Sequence, residues 1–375
     1  MAFCFRHRKS RIGQAKQKRI RIQKLIERFR LFSYLCILIP KFNLVNKIDL
    51  QSVFDTFNQF NILIIGDVMI DSYMWGKVNR ISPEAPVPII MSTKQENRLG
   101  GAANVALNVQ ALGAKPILCS VVGKDTRSRT FFSLLKKRKL SSEGIVEDEN
   151  RKTTLKTRII ADNQHLLRVD EEIDEMLAKD TESRFIHHIL SILAGQKIHA
   201  IIFEDYDKGC ITPKVIHSVV EYANKNDIPS LVDPKKRNFM EYQNVTLFKP
   251  NFKELVEGSK IDIPKGDFKG IHEASKLLHH KLSAKYIFVT LSELGVFISN
   301  QDFYKTIPAE IRDIADVSGA GDTLIGTASL CLAAGLEPEV IAILSNLAGG
   351  QVCEKVGVVP VNKEQLLKEA LEKYF

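Results

Sequence analysis

The stretch Asp316-Val317-Ser318-Gly319-Ala320-Gly321-Asp322-Thr323 leads directly into an apolar run with helical periodicity, Leu324 to Leu330. Glycines at such a point let backbone N–H groups approach a ligand closely, and the helix that follows adds its unpaired N–H groups and positive dipole end. The pattern therefore predicts an anion site formed by Gly319, Ala320 and Gly321.

Asp322 places a carboxylate inside this predicted anion site. It can act as a general base, taking a proton from a substrate hydroxyl while the backbone N–H groups stabilise the negative charge of a phosphoryl group during transfer. The same residues also fit a glycine-rich turn in which Asp322 is an ordinary acid of the first helical turn. The stretch alone leaves both interpretations open.

Charge is distributed unevenly along the 375 residues. Residues 1–47 carry 13 Lys and Arg and a single acid, Glu27, which leaves a net charge of −3 on the rest of a chain whose total is +9. The sequence pI near 9.1 is therefore no evidence that the globular part binds nucleic acid. We expect residues 1–47 to be a dispensable extension, or the product of a misassigned start codon, in front of an ordered domain at 48–375.

The cysteine and hydropathy patterns favour a reducing, cytoplasmic setting. The six cysteines include no Cys-x-x-Cys pair. No apolar run approaches the roughly 20 residues that span a bilayer. The longest candidate, Leu31 to Ile39, is too short and is followed by Pro40-Lys41-Phe42 rather than by a small-residue cleavage pattern. We therefore expect a cytoplasmic protein without a membrane span.

Apolar strand patterns alternate with helical patterns along the chain. Asn61 to Gly66 is a short apolar run ending at glycine, which predicts a buried parallel strand. Tyr73 to Met91 contains three prolines and predicts edge structure or a flap, and Thr154 to Val169 predicts a hairpin that turns at Asp162-Asn163. The alternation predicts an α/β fold with a mainly parallel sheet covered by helices on both faces.

Polar residues collect at the ends of predicted strands, where open α/β sheets place their ligands. Asp67 and Asp71 follow the first strand, and Asp205-Tyr206-Asp207-Lys208-Gly209 follows another. A second glycine turn, Gly100-Gly101-x-x-Asn104, opens a helix and can bring a polyol close to the backbone, with Asn104 as hydrogen-bond donor and acceptor. Helix caps, a turn and a surface loop are the ordinary alternatives for these residues.

Two further segments suit nucleotide phosphates. In Pro250-Asn251-Phe252-Lys253-Glu254, the Asn and Glu side chains share one helical face and fit water-mediated Mg²⁺ binding, although they equally fit a capping box. Thr290-Leu291-Ser292-Glu293-Leu294-Gly295 places hydroxyl groups and a glycine at another strand end. The chain contains no G-x-x-x-x-G-K-[ST] and no complete G-x-G-x-x-G, so P-loop and dinucleotide sites are disfavoured.

Taken together, these motifs resemble the ribokinase-like, or PfkB, family of carbohydrate kinases. Gly100 to Ala106, followed by Gly113 and Gly123, is similar to the first family signature, and Asp316 to Asp322 is similar to the second. The resemblance implies a doubly wound α/β domain with a small β lid from about residues 73–91 and 154–169, often shared across a homodimer. It also implies ATP, Mg²⁺ and commonly a monovalent cation such as K⁺, here near Asp316.

Within the family, Gly66 to Asp71, Arg80 to Pro88 and Asp205 to Gly209 look most like the kinases that phosphorylate the anomeric hydroxyl of D-glycero-D-manno-heptose 7-phosphate. That resemblance implies a role in making ADP-heptose for the lipopolysaccharide core. The chain ends at Phe375 without a nucleotidyltransferase signature, so we expect a separate adenylyltransferase.

The residue roles that the resemblance implies fall into three groups. Asp322 is the base, and Gly319, Ala320 and Gly321 form the anion hole. The sugar side comprises Asp67, Asp71, Arg80, Gly100, Gly101, Asn104 and Lys208. Of these, Lys208 and Arg80 are the candidates for binding the phosphate that the sugar already carries. The nucleotide side, with Glu254 binding Mg²⁺ through water, comprises Asn251, Phe252, Lys253, Glu254, Thr290, Ser292 and Gly295.

Two rival functions stay open at this level. One is a kinase of the same fold that acts on another sugar, such as ribose, fructose or a nucleoside. The other is a non-catalytic sugar-sensing protein whose basic tail contacts nucleic acid or a membrane.

Overall fold

The computed structural model describes residues 49–161 and 164–375. The predictions about residues 1–47 and about the turn at Asp162-Asn163 lie outside these described residues. Leu50–Lys373 forms one unit, to which everything below refers. In the part of the chain that is described, no helix combines the length and the apolar character needed to cross a bilayer.

The described strands form two sheets, and strands are numbered along the chain. They are β1 (Asn61–Gly66), β2 (Val68–Ile81), β3 (Pro88–Gly101), β4 (Lys115–Gly123), β5 (Ile145–Asp148), β6 (Thr154–Ala161), β7 (Gln164–Glu171), β8 (Ala200–Glu204), β9 (Ser230–Asp233), β10 (Leu247–Phe248), β11 (Tyr286–Thr290), β12 (Val296–Ser299) and β13 (Tyr304–Ile307). The larger sheet has nine strands in the order β13-β12-β11-β10-β9-β8-β1-β4-β5, and its pairs are parallel except β11 with β12 and β12 with β13, so that β12 runs opposite to the others.

Helices connect these strands. They are α1 (Leu50–Thr56), α2 (Ala102–Ala111), α3 (Thr126–Lys137), α4 (Lys179–Gly195), α5 (Pro213–Lys225), α6 (Phe252–Ser259), α7 (Phe268–Leu282), α8 (Ala320–Ala333), α9 (Pro338–Cys353) and α10 (Lys363–Lys373). The β4 and β5 strands lie on one side of β1, and β8 to β11 lie on the other. Because crossovers between parallel strands are right-handed, the helices of the two halves cover opposite faces of the sheet.

This arrangement confirms the predicted α/β fold with a doubly wound, mainly parallel sheet. The residues of β1 from Ile62 to Ile65 are fully buried, as expected for a parallel strand that is covered on both faces. The strand order reverses beside β1, and sheets of this kind bind ligands in the crevice at such a reversal, outside the carboxyl ends of the strands.

A separate four-stranded sheet, called the lid here, has the order β3-β2-β6-β7. Its β2 and β3 pair antiparallel from Val68 and Gly101 at the base to Ile81 and Pro88 at the tip. The three prolines of this region lie in the turn or at the first residue of β3, where no ladder N–H group is needed. The base of the lid therefore delivers Gly100 and Gly101 directly to the start of α2.

Candidate active site

The two glycine turns meet at the carboxyl-terminal edge of the central sheet. Gly319 precedes α8 with a φ of +81°, a conformation that favours glycine, and a Cβ atom there would lie 2.8 Å from Asn104 Nδ2. Asn104, in the first turn of α2, donates a 2.7 Å hydrogen bond from Nδ2 to Asp322 Oδ2. Tertiary folding thus joins residues that are 218 positions apart in the chain.

Asp322 lies in the first turn of α8 with only 6% of its surface exposed. Its second carboxylate oxygen, Oδ1, accepts a 2.9 Å hydrogen bond from the hydroxyl of Tyr206. Burial raises the pKa of Asp322 to about 6, and the hydrogen bonds from Asn104 and Tyr206 oppose that shift only in part. A carboxyl group with a pKa close to neutrality is suited to general base catalysis.

Asp67 holds the loop that carries Tyr206. Its buried carboxylate accepts hydrogen bonds from three backbone N–H groups, those of Tyr206 at 2.9 Å, Lys208 at 3.1 Å and Cys210 at 3.0 Å. Both oxygens are thereby engaged by the loop that follows β8. The sequence predicted a substrate contact for Asp67, whereas the structure shows it positioning the loop that brings Tyr206 to Asp322.

The predicted sugar-side residues at the base of the lid come together. Asp71 is buried and forms an ion pair with Arg158 of β6. A Cβ atom on Gly100 would overlap the Asp71 carboxylate, so no larger residue fits there. Since Gly101 directly precedes α2, Asn104 lies within one helical turn of this group.

Two residues were predicted to bind the phosphate already on the sugar, Lys208 and Arg80. The structure does not bring both of them to the base of the lid. Lys208 Nζ lies 2.7 Å from Glu172 Oε1 and so has a carboxylate partner within the chain. Arg80 is exposed near the tip of β2. The nine residues that separate it from Asp71 correspond to roughly 30 Å of strand. A strand of this length carries Arg80 away from the base of the lid within one chain, and its predicted contact with the sugar phosphate stays a prediction.

On the nucleotide side, Asn251 and Glu254 form a capping box at the start of α6. Asn251 Oδ1 accepts from the Glu254 N–H at 2.9 Å, and Glu254 Oε2 accepts from the Asn251 N–H at 2.8 Å. The other Glu254 oxygen accepts a 2.8 Å hydrogen bond from Lys235. Phe252 packs against the hydrophobic core, and Lys253 has 84% of its side chain exposed. Their predicted contact with the nucleotide stays a prediction.

A cleft of about 660 Å³ adjoins the glycine turn. It is lined by all three residues predicted from the segment after β11, namely Thr290, Ser292 and Gly295, and by Ala320 and Gly321. A backbone bridge between Asn251 and Thr290 joins the capping box to the same edge of the sheet. The remaining lining is largely apolar and was not predicted from the sequence; it includes Ile311, Ile314, Val317, Leu324, Gly349 and Gly350.

A buried charged cluster beneath the glycine turn was also missed. Lys249 Nζ lies 2.7 Å from Asp233 Oδ2, and a Cβ atom on Gly321 would lie 3.7 Å and 3.5 Å from these two atoms. Burial disfavours the charged form of Lys235, but Asp233 and Glu254 raise its pKa overall. Lys235 Nζ also lies 5.8 Å from the centre of the Tyr206 ring, which links this cluster to Asp322.

Glu204 completes the cluster with 1% of its surface exposed and without a hydrogen-bond partner for Oε2 among the described residues. Burial, together with the nearby Asp233 and Asp322 carboxylates, raises the pKa of Glu204 well above its usual range. Glu204, Asp233 and Lys249 each end, or directly follow, a buried apolar strand. A search for charged residues at such strand ends would have found them.

The sequence matches known proteins along most of its length. Residues 59–365 match the family model described as "pfkB family carbohydrate kinase". A bifunctional protein HldE from Koribacter versatilis is 38% identical over 307 residues, which are 82% of this chain and 62% of that protein. HldE from Geobacter sulfurreducens is 36% identical over 321 residues, 85% of this chain and 64% of that protein. The chain thus spans less than two thirds of the length of these relatives.

Solved structures have the same fold at low identity. Phosphofructokinase-2 from Escherichia coli in complex with fructose-6-phosphate aligns with a TM-score of 0.68 and 17% identity, covering 83% of this chain and 98% of that one. Ribokinase from Arabidopsis thaliana complexed with ribose and ATP aligns with a TM-score of 0.63 and 16% identity, covering 82% and 98%. With the family match over most of the chain, this protein belongs to the pfkB family of carbohydrate kinases and is a sugar phosphotransferase.

Proposed function

We propose that this protein transfers the γ-phosphoryl group of ATP to the anomeric hydroxyl of D-glycero-D-manno-heptose 7-phosphate, giving the 1,7-bisphosphate. The observation that carries the proposal is Asp322, a buried carboxylate held by Asn104 and Tyr206 beside the glycine turn. The choice of heptose is supported by 38% identity to a protein named bifunctional protein HldE.

Asp322 acts as the general base in this mechanism. It accepts the proton of the acceptor hydroxyl while the bond from that oxygen to the γ-phosphorus forms and the bond from the γ-phosphorus to the ADP oxygen breaks. The hydrogen bonds from Asn104 and Tyr206 favour the ionised carboxylate, which is the form that accepts a proton. Backbone N–H groups of the glycine turn and of the first turn of α8 stabilise the charge on the transferring phosphoryl oxygens.

ATP fits the cleft beside the glycine turn. The volume of the cleft, about 660 Å³, is within the usual range for small-molecule sites. The apolar side chains of Ile311, Ile314 and Leu324 would pack against the adenine, and the hydroxyls of Thr290 and Ser292 would face the ribose or phosphates. The triphosphate would then point towards Gly321 and Asp322.

We propose that Mg²⁺ binds with the nucleotide phosphates on the polar side of the same region. In residues 49–161 and 164–375, no three His, Cys, Asp or Glu side chains are grouped so as to hold a metal directly. Phosphate oxygens and water would supply most of the ligands, with Glu254 contacting the ion through water. Bound there, Mg²⁺ would neutralise charge on the phosphates. We propose a monovalent cation such as K⁺ near Asp316, whose carboxylate already orders the backbone of Ser318 and Gly357.

We propose that the product is consumed by an adenylyltransferase activity in the cytoplasm, because the relatives are named bifunctional. We also propose a homodimer through the lid. Large apolar side chains are exposed on β7 and near the lid tip, including Ile81, Val87, Met91, Leu166, Leu167 and Val169. Light scattering should show a dimer that Leu167→Asp disrupts and that Leu371→Asp, at another exposed leucine on α10, leaves intact.

A panel of sugars tests the substrate. Purified protein is incubated with ATP, Mg²⁺ and heptose 7-phosphate, free heptose, fructose 6-phosphate, ribose, fructose or a nucleoside, and ADP release is followed. We expect the highest kcat/KM with heptose 7-phosphate, together with a new anomeric phosphate signal in the ³¹P NMR spectrum. Turnover confined to an unphosphorylated sugar would refute the heptose proposal. The absence of turnover, combined with salt-dependent binding of DNA or anionic vesicles that requires residues 1–47, would favour the sensor.

A further inference from the structure

The segment Gly357–Val358, between α9 and α10, touches the lid. Arg98, on lid strand β3, donates a hydrogen bond from Nη1 to the carbonyl oxygen of Val358 at 3.4 Å. The guanidinium also lies close to Gly357, where an added Cβ atom would be 2.5 Å from Nη1 and 3.5 Å from the hydroxyl of Tyr73. With a φ of +73° and no free space beside it, this position requires glycine.

The same two residues touch the glycine turn of the active site. The N–H of Gly357 donates to Asp316 Oδ2 at 2.9 Å, and Asp316 Oδ1 accepts from the N–H of Ser318 at 2.9 Å. The side chain of Val358 packs against the turn, with Cγ1 only 3.5 Å from the Cβ position of Gly319. Gly357–Val358 is therefore a bridge between the lid and the anion hole.

Arg98 is held firmly on the lid side of this bridge. Its Nε donates a 2.7 Å hydrogen bond to Glu96, and its guanidinium lies 4.9 Å from the centre of the buried Tyr73 ring. Arg158 lies 5.3 Å from the same ring and forms the ion pair with Asp71. Arg98 is thus packed against the part of the lid that contains the proposed sugar contacts.

We infer that Arg98 is a positioning residue that couples occupation of the sugar site to the geometry of the anion hole. Gly100 and Gly101 lie two and three residues beyond Arg98 on the same strand. A sugar that draws this strand towards Asp322 presses Arg98 on Gly357–Val358, and the bridge then orders Asp316, Ser318 and Gly319. The inference rests on the phosphoryl transfer proposed above, but not on which sugar accepts the group.

The coupling is measured as the ratio of the dissociation constants of the ATP analogue AMP-PNP without and with saturating heptose 7-phosphate. A coupling between two sites is typically about 5- to 150-fold. We expect a ratio in this range for the native protein. In Arg98→Met we expect it to fall to within about twofold of unity, with a lower kcat and nearly unchanged affinity for either ligand alone. The matched control is Lys94→Met, because Lys94 is on the same strand and also pairs with Glu96 but lies over Trp75.

Two results would overturn the inference: a native ratio close to one, or an Arg98→Met ratio equal to that of the native protein. If another sugar of the panel is the substrate, the heptose proposal fails, and the ratio is measured with that sugar instead. Hydrogen exchange without ligands provides a test that needs no substrate. The amides of Ser318 and Gly357, both bound to Asp316, should exchange at least about tenfold faster in Arg98→Met, with partial recovery in Arg98→Lys. Equal exchange in the folded variant contradicts the bridge.

Discussion

Charged side chains have opposite surroundings at the edge of the central sheet and on the lid. Beneath the glycine turn, Asp233 and Lys249 form an ion pair in which both side chains are less than one tenth exposed. On the lid, Glu96 and Lys94 form a pair whose side chains are 33% and 62% exposed. Burial raises the pKa of Asp322 to about 6, whereas hydrogen bonds from Lys94 and Arg98 lower the pKa of Glu96 to about 2.

The contrast separates a region of buried charges from a region of partly exposed charges. Charges that are kept from water interact strongly and make the catalytic edge rigid. The charges of Glu96 and Lys94 on the lid remain partly solvated, so rearranging them costs little free energy, whereas the pair of Asp71 and Arg158 at the base of the lid is largely buried. The exposed part of the lid can therefore rearrange its charges at little cost while the buried pair of Asp233 and Lys249 stays in place.

The largest expected effect is on turnover at the buried edge. Asp322→Asn removes the proton acceptor, and losing a positioned base costs about 10²- to 10⁴-fold in kcat, or roughly 3 to 5 kcal/mol. Steady-state kinetics should show this loss while calorimetry shows ATP binding unchanged. Asp302→Asn, at an exposed position, is the control. Near-native turnover by Asp322→Asn would show that Asp322 is not the general base.

The next effect compares the two ion pairs directly. Lys249→Met leaves Asp233 buried without its closest partner, and breaking a buried pair in this way typically costs about 3 to 5 kcal/mol of unfolding free energy. Lys94→Met on the lid should cost no more than about 1 kcal/mol. Urea unfolding of both variants measures the difference. Equal losses would contradict the contrast between the two regions.

The pH dependence of stability sharpens the same comparison. The pKa of Asp322 is about 6 in the folded protein against an ordinary value of 3.8, so the native state binds this proton more tightly than the unfolded chain does. The stabilisation of the folded state by this proton is complete at pH values below the ordinary pKa of 3.8 and is lost as the pH rises through the folded pKa of about 6. Asp322→Asn should therefore be more stable than the native protein at pH 7.5, by up to about 3 kcal/mol, and should lose this advantage near pH 4.

Activity should depend on pH in the opposite sense. Because the base must be ionised, native kcat/KM should fall as the pH drops below about 6, the folded-state pKa of Asp322. An Asp322→Asn variant with no stability gain at pH 7.5, together with a flat native activity profile, would show that the carboxylate is better solvated than its burial indicates.

The smallest effect is expected on the lid. Glu96→Gln weakens a partly exposed pair and should change the unfolding free energy by less than about 1 kcal/mol. Since the folded pKa of Glu96 is lowered, its contribution is present above the ordinary value of 4.5 and is lost as the pH falls towards about 2. Thermal unfolding at pH 7 should show a small difference in Tm between Glu96→Gln and the native protein in low salt, and no difference in high salt. A loss as large as that of Lys249→Met would mean that the lid charges are effectively buried.

The elements recognised from the sequence were those with clear periodicity. The apolar run at Asn61–Gly66 and the helix that follows the Gly100-Gly101 turn are both present in the structure. Two elements were missed, β5 (Ile145–Asp148) and α1 (Leu50–Thr56), because four and seven residues are too few to establish a period. The helix that contains the apolar run Leu324 to Leu330 begins at Ala320, which places Asp322 inside its first turn.

For the site, the sequence by itself determined the two glycine turns, the acid that follows the second turn and the family, because such motifs depend on local backbone requirements that only particular residues meet. Only the tertiary structure decided the partners. It assigned Asp67 to a loop, paired Lys208 with Glu172, carried Arg80 to the lid tip, and buried Glu204, Asp233 and Lys249 below the turn. Burial and proximity between distant segments set these roles, and neither is encoded in the local sequence around each residue.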